Sequence, residues 1–214
     1  MRNPGFPRML STVYRLLVSM RIGVISDTHG YFDPHFPQLL HGVDEIFHAG
    51  DVGSQPVLDQ LRAIAPVQAV RGNSDSAALG LAPTVTRWFG SVGIHMLHEL
   101  PEPQSALRDW AQALPLEGKP AEHCRRFLES FPAECRVVVF GHSHEPCAQI
   151  LDGKLFFNAG SAGKKRFSLP RCCGLLEISL QGVHATFLGL ERYNEDIPEG
   201  VWLTIGGAKA CGNC

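Results

Sequence analysis

Ile22-Gly23-Val24-Ile25-Ser26-Asp27-Thr28-His29-Gly30 is the stretch that decides the fold, an apolar run that ends in polar side chains. A short apolar run of this kind is typical of a buried strand. Open α/β sheets place their sites where parallel strands end. Residues two apart in a strand point the same way, so Asp27 and His29 could approach one ion together. The stretch therefore predicts an α/β fold whose first strand delivers metal ligands.

Four further motifs repeat this arrangement, each closing an apolar run: Gly50-Asp51, Gly72-Asn73, His98 and Gly141-His142-Ser143-His144. Together with Asp27 and His29 they supply seven ligand-type side chains, all oxygen or imidazole donors without a cysteine. Such donors suit two hard-to-intermediate divalent ions better than a thiolate zinc site. The pattern therefore favours a dinuclear centre for phosphoryl chemistry.

The order of the remaining elements indicates two sheets with helices outside. Strands are expected at 22–26, 45–48, 67–70, 84–89, 92–97, 136–140, 154–157, 173–180 and 183–190. Helices are expected at 31–42, 54–66, 105–114 and 121–131. The first half reads β-α-β-α-β, which implies parallel strands, and the last three strands read as a late antiparallel set. Two sheets packed together and flanked by helices fit this order best.

Composition describes an ordinary soluble, cytoplasmic globule. A chain of 214 residues with 44% hydrophobic and 19% charged residues can bury a real core. The formal charge of -2 gives no basic surface, so extended nucleic-acid binding is not favoured. No stretch approaches the length of a membrane span. The seven irregularly spaced cysteines favour reduced thiols over a disulfide framework.

Both ends of the chain differ from its middle. Residues 1–19 contain arginines but no acid, and form an N-terminal extension in this interpretation. The extension could be a targeting peptide, a surface helix or a segment upstream of a natural start at Met20. A single domain is expected over 20–205, in which 99–134 could form a helical cap near the metals. Residues 206–214 are expected to be a flexible tail.

The motif set resembles the calcineurin-like metallophosphoesterases, specifically the small bacterial and archaeal phosphodiesterase group that also contains the eukaryotic retromer subunit. The resemblance runs from about residue 21 to about residue 190. It rests on the five motifs above, with Ser74-Asp75 extending the third, and on Asn158-Ala159-Gly160-Ser161. One such pair would mean little, but the whole set in this order is hard to obtain by chance. The implied fold is a four-layer α/β sandwich of two mixed β-sheets flanked by helices.

The resemblance also implies how the ligands divide between two ions. Asp27, His29 and His144 would hold the first ion, Asn73, His98 and His142 would hold the second, and Asp51 would bridge them. Asp51, Asn73 and His98 would be the catalytic residues. The expected cofactors are two divalent ions, Mn²⁺ first, with Fe²⁺, Ni²⁺ or Zn²⁺ accepted according to supply. The expected activity is hydrolysis of small phosphodiesters by a metal-bridging hydroxide.

Two departures from the family pattern bear on the substrate. Ser74 stands where phosphoprotein phosphatases carry a histidine that helps to protonate the leaving group, which favours diesters over monoesters. Glu99 stands where many relatives have glycine, and its carboxylate could support an imidazole or repel a dianionic monoester. Ser74, Lys164 and Arg166 are expected to contact the substrate, because cations favour phosphate.

The alternative function is a non-catalytic protein-binding scaffold of the retromer-subunit type. That subunit lacks part of the histidine set, whereas this chain retains His29, His98, His142 and His144. The expected partner is therefore a small phosphodiester, with no nucleic acid and no membrane, and assembly into a homo-oligomer stays open. His48 could support the ligands from behind or simply fill the end of its strand.

Overall fold

Short apolar runs become strands in the part of the chain that the computed structural model describes, residues 18–113, 115–165, 168–190 and 198–204. The strands are β1 (Val18–Ile25), β2 (Glu45–His48), β3 (Val67–Ala69), β4 (Thr84–Phe89), β5 (Val92–Leu97), β6 (Cys135–Phe140), β7 (Cys147–Leu151), β8 (Lys154–Asn158), β9 (Cys172–Ser179), β10 (Gly182–Gly189) and β11 (Val201–Thr204). The helices are α1 (Phe36–Leu39), α2 (Gln55–Arg62), α3 (Gln104–Gln112) and α4 (Gly118–Glu129), with a 3-10 turn at Ala77–Leu79.

Both sheets mix parallel and antiparallel pairs. The six-stranded sheet has the order β11-β10-β9-β1-β2-β3, in which β1, β2 and β3 run parallel. The five-stranded sheet has the order β4-β5-β6-β8-β7, in which β5, β6 and β8 run parallel. The remaining neighbours are antiparallel. The expected pair of mixed sheets is confirmed.

The main core lies between the two sheets, as alternation along β6 illustrates. Val137 and Val139 belong to the apolar cluster that the sheets share. Val138 and Phe140 point the other way and join a second cluster on the outer face of the five-stranded sheet. A strand buried on both faces has a continuous apolar sequence, which is why no polar residue interrupts 137–140.

Helices cover both outer faces and complete the four layers. α1 and α2 pack on the six-stranded sheet through residues such as Phe36 and Leu58. α3 and α4 pack on the five-stranded sheet, where the Phe127 ring lies 5.1 Å from that of Trp110 and 5.4 Å from that of Phe156. The segment 99–134 therefore forms an outer layer. Its role as a cap over metals stays a prediction.

The expected late antiparallel set is wrong for 154–157. β8 lies in the five-stranded sheet, parallel to β6, with Val137 opposite Leu155. Its antiparallel partner β7 was missed, and so was β11, a short edge strand with a half-exposed Trp202. β1 begins at Val18 rather than at Ile22.

Residues 1–17 and 205–214, which contain most of the expected extension and the whole expected tail, lie outside the described residues. Among the residues that the structure describes, no helix is long and apolar enough to cross a membrane.

Candidate metal centre

The seven ligand-type side chains follow five parallel strands, β1, β2, β3, β5 and β6. Backbone hydrogen bonds continue past the strand ends and hold the loops side by side. The Asp27 amide donates to the Gly50 carbonyl at 3.0 Å, and the His29 amide donates to the Asp51 carbonyl at 2.9 Å. The Gly141 amide donates to the His98 carbonyl at 2.9 Å, across the second sheet. The structure thereby brings all seven residues to one edge of the sandwich.

One group of candidate ligands consists of Asp27, His29 and His144, whose ligand atoms lie within 4.8 Å of one another. His144 Nε2 is 3.3 Å from Asp27 Oδ1 and 3.3 Å from His29 Nε2. Asp51 lies between this group and the rest, since its Oδ2 is 3.8 Å from His29 Nε2 and 3.5 Å from His98 Nε2. One carboxylate therefore reaches both halves of the site.

A second group converges on the side-chain oxygen of Asn73. Asn73 Oδ1 is 2.9 Å from His98 Nε2 and 3.0 Å from His142 Nδ1. His98 Nδ1 is 2.8 Å from the Ala49 carbonyl oxygen, so this nitrogen carries the proton that it donates. In the neutral imidazole, the Nε2 lone pair then faces the Asn73 oxygen. Two acceptors facing each other are stabilised by a cation between them.

Asp27 provides an independent test of whether a cation fits. Its Oδ2 accepts a hydrogen bond from the Ser26 hydroxyl at 2.5 Å and from the His142 amide at 3.2 Å. Its Oδ1 is buried without a hydrogen-bond donor, because His144 Nε2, although 3.3 Å away, lies outside hydrogen-bond geometry. Leaving a buried acceptor unpaired costs about 1–3 kcal/mol. The residues present therefore fit divalent cations.

The backbone is strained at the same residues. Asp27, His29, Asp51, His142 and His144 have φ of 55°, 47°, 53°, 69° and 60°. They are five of the six non-glycine residues with positive φ in the described chain. Such conformations cost about 1 kcal/mol or more each and persist where the surrounding structure fixes them, commonly at functional sites.

Two glycines allow the loops to pack directly on the ligands. A Cβ at Gly72 would overlap the Asp51 side chain and amide, and a Cβ at Gly141 would overlap the Ser26 hydroxyl. Neither position has room for a side chain. Glycine next to Asn73 and His142 is thus explained by close approach.

The electrostatics of the site keep Asp51 ionised. Burial alone would raise the pKa of Asp51, but the nearby His98 ring and hydrogen bonds from Ser74 outweigh it and hold that pKa far below its ordinary value. The Ser74 amide donates to Asp51 Oδ1 at 2.8 Å. Burial would lower the pKa of His98, but contacts with Asp51 and the Ala49 carbonyl raise it instead. The centre is therefore an anionic pocket that attracts positive charge.

His48 lies behind the first ligand loop. Its Nε2 is 2.9 Å from Thr28 Oγ1, and the Thr28 hydroxyl donates to the Val52 carbonyl at 3.0 Å. The imidazole must therefore be the donor to Thr28. Burial lowers the pKa of His48 to about 4, so the ring is neutral at physiological pH. Of the two interpretations offered for His48, the contact with Thr28 favours support of the ligand loop.

Asp75 was predicted only as part of the extended third motif, and the structure gives it a role. Asp75 Oδ1 accepts a hydrogen bond from the Gly53 amide at 2.7 Å, and its Oδ2 accepts one from the Gly72 amide at 2.9 Å. The carboxylate thus ties the loop after β2 to the loop after β3. Its position within Gly72-Asn73-Ser74-Asp75 was the available signal.

Asn158 and Gln104 support the loop that carries His142 and His144. Asn158 Nδ2 donates to the Gly141 carbonyl at 2.9 Å and to Ser143 Oγ at 3.0 Å. The Ser143 hydroxyl in turn donates to Gln104 Oε1 at 2.8 Å. The sequence motif at 158–161 predicted no role for Asn158, and no sequence signal indicated Gln104.

The three residues expected to contact substrate lie at different distances from the candidate ligands. Ser74 is at the centre, with Oγ 3.4 Å from His29 Nδ1. Lys164 is exposed and follows Gly163, which packs against the Asp27 and Thr28 carbonyls, so it lies beside the first ligand loop. Arg166 lies outside the described residues.

A cavity of about 380 Å³ opens beside His142. Its lining includes Glu99, Gln104, Phe140 and Ser143. Glu99 Oε1 lies 3.4 Å from His142 Nε2. A larger cavity of about 630 Å³ is lined by α4 and the 101–102 loop and contains none of the seven candidate ligands.

Known proteins share both the sequence pattern and the fold. Residues 20–181 match the model of the calcineurin-like phosphoesterase superfamily domain. A probable metallophosphoesterase of Methanocaldococcus jannaschii is 32% identical over 171 residues, which cover 77% of each chain.

Two solved structures have folds similar to that of this chain. Yfce, a phosphoesterase from E. coli, has a TM-score of 0.57 at 22% identity, covering 86% of this chain and 100% of its own. Vps29 from Entamoeba histolytica, solved in complex with Zn²⁺, has a TM-score of 0.61 at 22% identity, with the same coverage. At this identity the two structures bear on the fold alone.

Proposed function

The chain belongs to the calcineurin-like phosphoesterase superfamily, and we propose that it is a dinuclear metal-dependent phosphodiesterase acting on small phosphodiesters. The observation that carries the proposal is the convergence of seven oxygen and imidazole donors on one cleft. Within that cleft Asp27 Oδ1 is buried without a donor. Acceptors that face one another in this way favour bound cations over an empty hydrogen-bonded network.

The distances support a division of the donors between two ions. Asp27, His29 and His144 would hold one ion. Asn73, His98 and His142 would hold the other, and Asp51 reaches both groups. When bound, two divalent ions would lower the pKa of a water and neutralise phosphoryl oxygens. Nitrogen and oxygen donors without thiolate fit Mn²⁺, our first choice, and also accept Fe²⁺, Ni²⁺ or Zn²⁺.

The chain's own groups set the geometry for this chemistry. Asp51 stays ionised because the Ser74 amide donates to its Oδ1 and the His98 ring lies close to its Oδ2. The Ala49 carbonyl holds the His98 proton on Nδ1, so Nε2 faces the cleft. Asp51, Asn73 and His98 are therefore the residues that we propose to be catalytic.

The preference for diesters rests on two side chains. Ser74, beside His29, is not acidic enough to protonate a poor leaving group near neutral pH. Glu99, beside His142, would repel a monoester dianion more than a diester monoanion. At about 6 Å in a solvated cleft, one extra charge pair is worth about 1 kcal/mol, or roughly fivefold. The charge therefore biases the choice of substrate without excluding monoesters.

The similarity in fold to Vps29 is compatible with the alternative of a protein-binding scaffold. A scaffold does not need an ionised Asp51 or strained ligand loops. The scaffold proposal therefore predicts a chain without phosphoesterase activity, whereas the enzyme proposal predicts activity that depends on the ligands.

The test compares two histidine variants in the hydrolysis of bis(p-nitrophenyl) phosphate with Mn²⁺. His98→Ala removes a buried candidate ligand, and His41→Ala removes an exposed histidine outside every motif. We expect His98→Ala to lower kcat/KM roughly 100-fold or more and His41→Ala to leave it unchanged. Metal analysis should find two ions per wild-type chain. Equal rates in the two variants would contradict the proposal, and an inactive wild type would favour the scaffold.

The substrate preference has a separate readout. The ratio of kcat/KM for bis(p-nitrophenyl) phosphate to that for p-nitrophenyl phosphate should exceed one. A reversed ratio would overturn the diester assignment while leaving the metal centre in place.

A further inference from the structure

We infer that Glu99 is a positioning residue for His142: its carboxylate accepts a hydrogen bond from the Nε2–H group, so that the Nδ1 lone pair points at the second ion. The inference rests on the proposed metal centre and assigns a role to a side chain outside the seven candidate ligands. Glu99 directly follows His98, so the end of β5 would supply one ligand of that ion and the support of another.

The two ring nitrogens of His142 face different partners. Nδ1 lies 3.0 Å from Asn73 Oδ1, toward the cleft, and Nε2 lies 3.4 Å from Glu99 Oε1, toward the rim. A neutral imidazole carries one proton, and an ionised carboxylate can only accept. The proton is therefore favoured on Nε2, which leaves Nδ1 free to bind. The contact is an ion pair rather than a hydrogen bond, and a movement of about 0.5 Å with a reorientation of the exposed Glu99 side chain would give ordinary hydrogen-bond geometry.

Comparison with His98 explains why His142 needs such a partner. The His98 side chain is 4% exposed, and the Ala49 carbonyl fixes its ring from Nδ1. The His142 side chain is 42% exposed, so packing restrains it less. The two rings meet edge to face with centroids 5.2 Å apart, and they present opposite nitrogens to Asn73. Each ring is thus held from the nitrogen that faces away from the cleft.

The exposure of the Glu99 side chain limits how much it can strengthen metal binding. The Glu99 side chain is 60% exposed, and a solvated ion pair alone contributes little. A cation on Nδ1 would make the Nε2 proton more acidic and strengthen its bond to the carboxylate. Partners of this kind change metal affinity by about 10–100-fold, and exposure points to about tenfold here.

The experiment titrates metal-free protein with Mn²⁺ by calorimetry. Glu99→Ala removes the acceptor, and Glu99→Gln keeps an oxygen that can accept the hydrogen bond from Nε2. Glu102→Gln is the matched control, because this carboxylate lies in the same loop but contacts His123 at 2.8 Å. We expect Glu99→Ala to weaken one of two sites about tenfold, Glu99→Gln to restore part of the affinity, and Glu102→Gln to change neither.

The outcomes separate this inference from the function that it extends. If the wild type binds fewer than two ions, the dinuclear proposal fails. If it binds two and Glu99→Ala binds both unchanged, only the role of Glu99 is overturned. A loss of both sites with a lower unfolding temperature would indicate a structural role and also overturn it. In Co²⁺-loaded protein, the visible spectrum of only one site should change in Glu99→Ala.

Discussion

Asp75→Asn tests whether one carboxylate holds the two central ligand loops together. Asp75 accepts hydrogen bonds from the Gly53 and Gly72 amides, which belong to the loops of Asp51 and Asn73. Asparagine keeps one acceptor and places an NH₂ group opposite the other amide. One N–H then faces a donor, and the 72–75 turn must shift.

The expected loss of stability follows from that single broken bond. A hydrogen bond to an ionised group contributes about 1.5–3 kcal/mol. Asp75 is partly exposed, so water can replace part of the contact, and we expect about 2 kcal/mol. For a chain of this size, that corresponds to a decrease in Tm of about 4–8 °C. The shifted turn should also lower Mn²⁺-dependent activity roughly tenfold or more.

The assay is urea denaturation of the metal-free protein, followed by turnover of bis(p-nitrophenyl) phosphate. Asp59→Asn is the matched control, since the Asp59 side chain is 61% exposed and pairs with Arg62 at 3.0 Å on α2. An exposed pair of this kind should contribute less than about 0.5 kcal/mol. Equal stability and equal activity in the two variants would refute the proposed link between the loops.

Two further predictions concern stability. Burial lowers the pKa of His48 from about 6.5 in the unfolded chain to about 4 in the folded one. Between these two pH values the folded state binds fewer protons than the unfolded state. The free energy of unfolding therefore falls as the pH is lowered through this range. Between pH 7 and pH 5 the wild type should therefore lose about 2 kcal/mol more unfolding free energy than His48→Gln, and equal losses would contradict a buried neutral ring. Phe156→Ala, in the cluster under α4, should cost about 3–5 kcal/mol in urea denaturation, whereas Leu180→Ala, at a 96% exposed turn position, should be neutral. A small effect of Phe156→Ala would mean that the helical layer is loosely packed.

The sequence predicted which polar side chains meet at one edge of the sandwich because each signal is local. An apolar run followed at once by Asp or His marks a strand end, and 22–29 contains the whole signal. Sheet membership is not local, which is why 154–157 was assigned to the wrong set. The role of Asn158 depends on that membership, since β8 pairs with β6 so that Asn158 lies opposite Phe140. Only this register brings the amide to the Gly141 loop.

The partners of the candidate ligands were predicted only in part, for a related reason. Support of an imidazole was one of two roles expected for Glu99, but the sequence did not say which histidine. Asp75 and Glu99 act across loops that are far apart in sequence, Asp75 on Gly53 and Glu99 on His142. Their residue types are those of any turn or exposed surface. Distances after folding, rather than any periodicity, distinguish them from solvated acids.

Backbone strain and ligand chemistry at this centre have a common explanation. Asp and His are among the few non-glycine residue types that enter the left-handed region readily, and both bind divalent ions. Five such residues at about 1 kcal/mol each oppose folding by about 5 kcal/mol. An ion at a hundred times its Kd stabilises the folded state by about 2.7 kcal/mol, so two ions supply a similar amount. Ions that bind the folded chain and not the unfolded one would therefore offset this strain, which would link folding to metal binding.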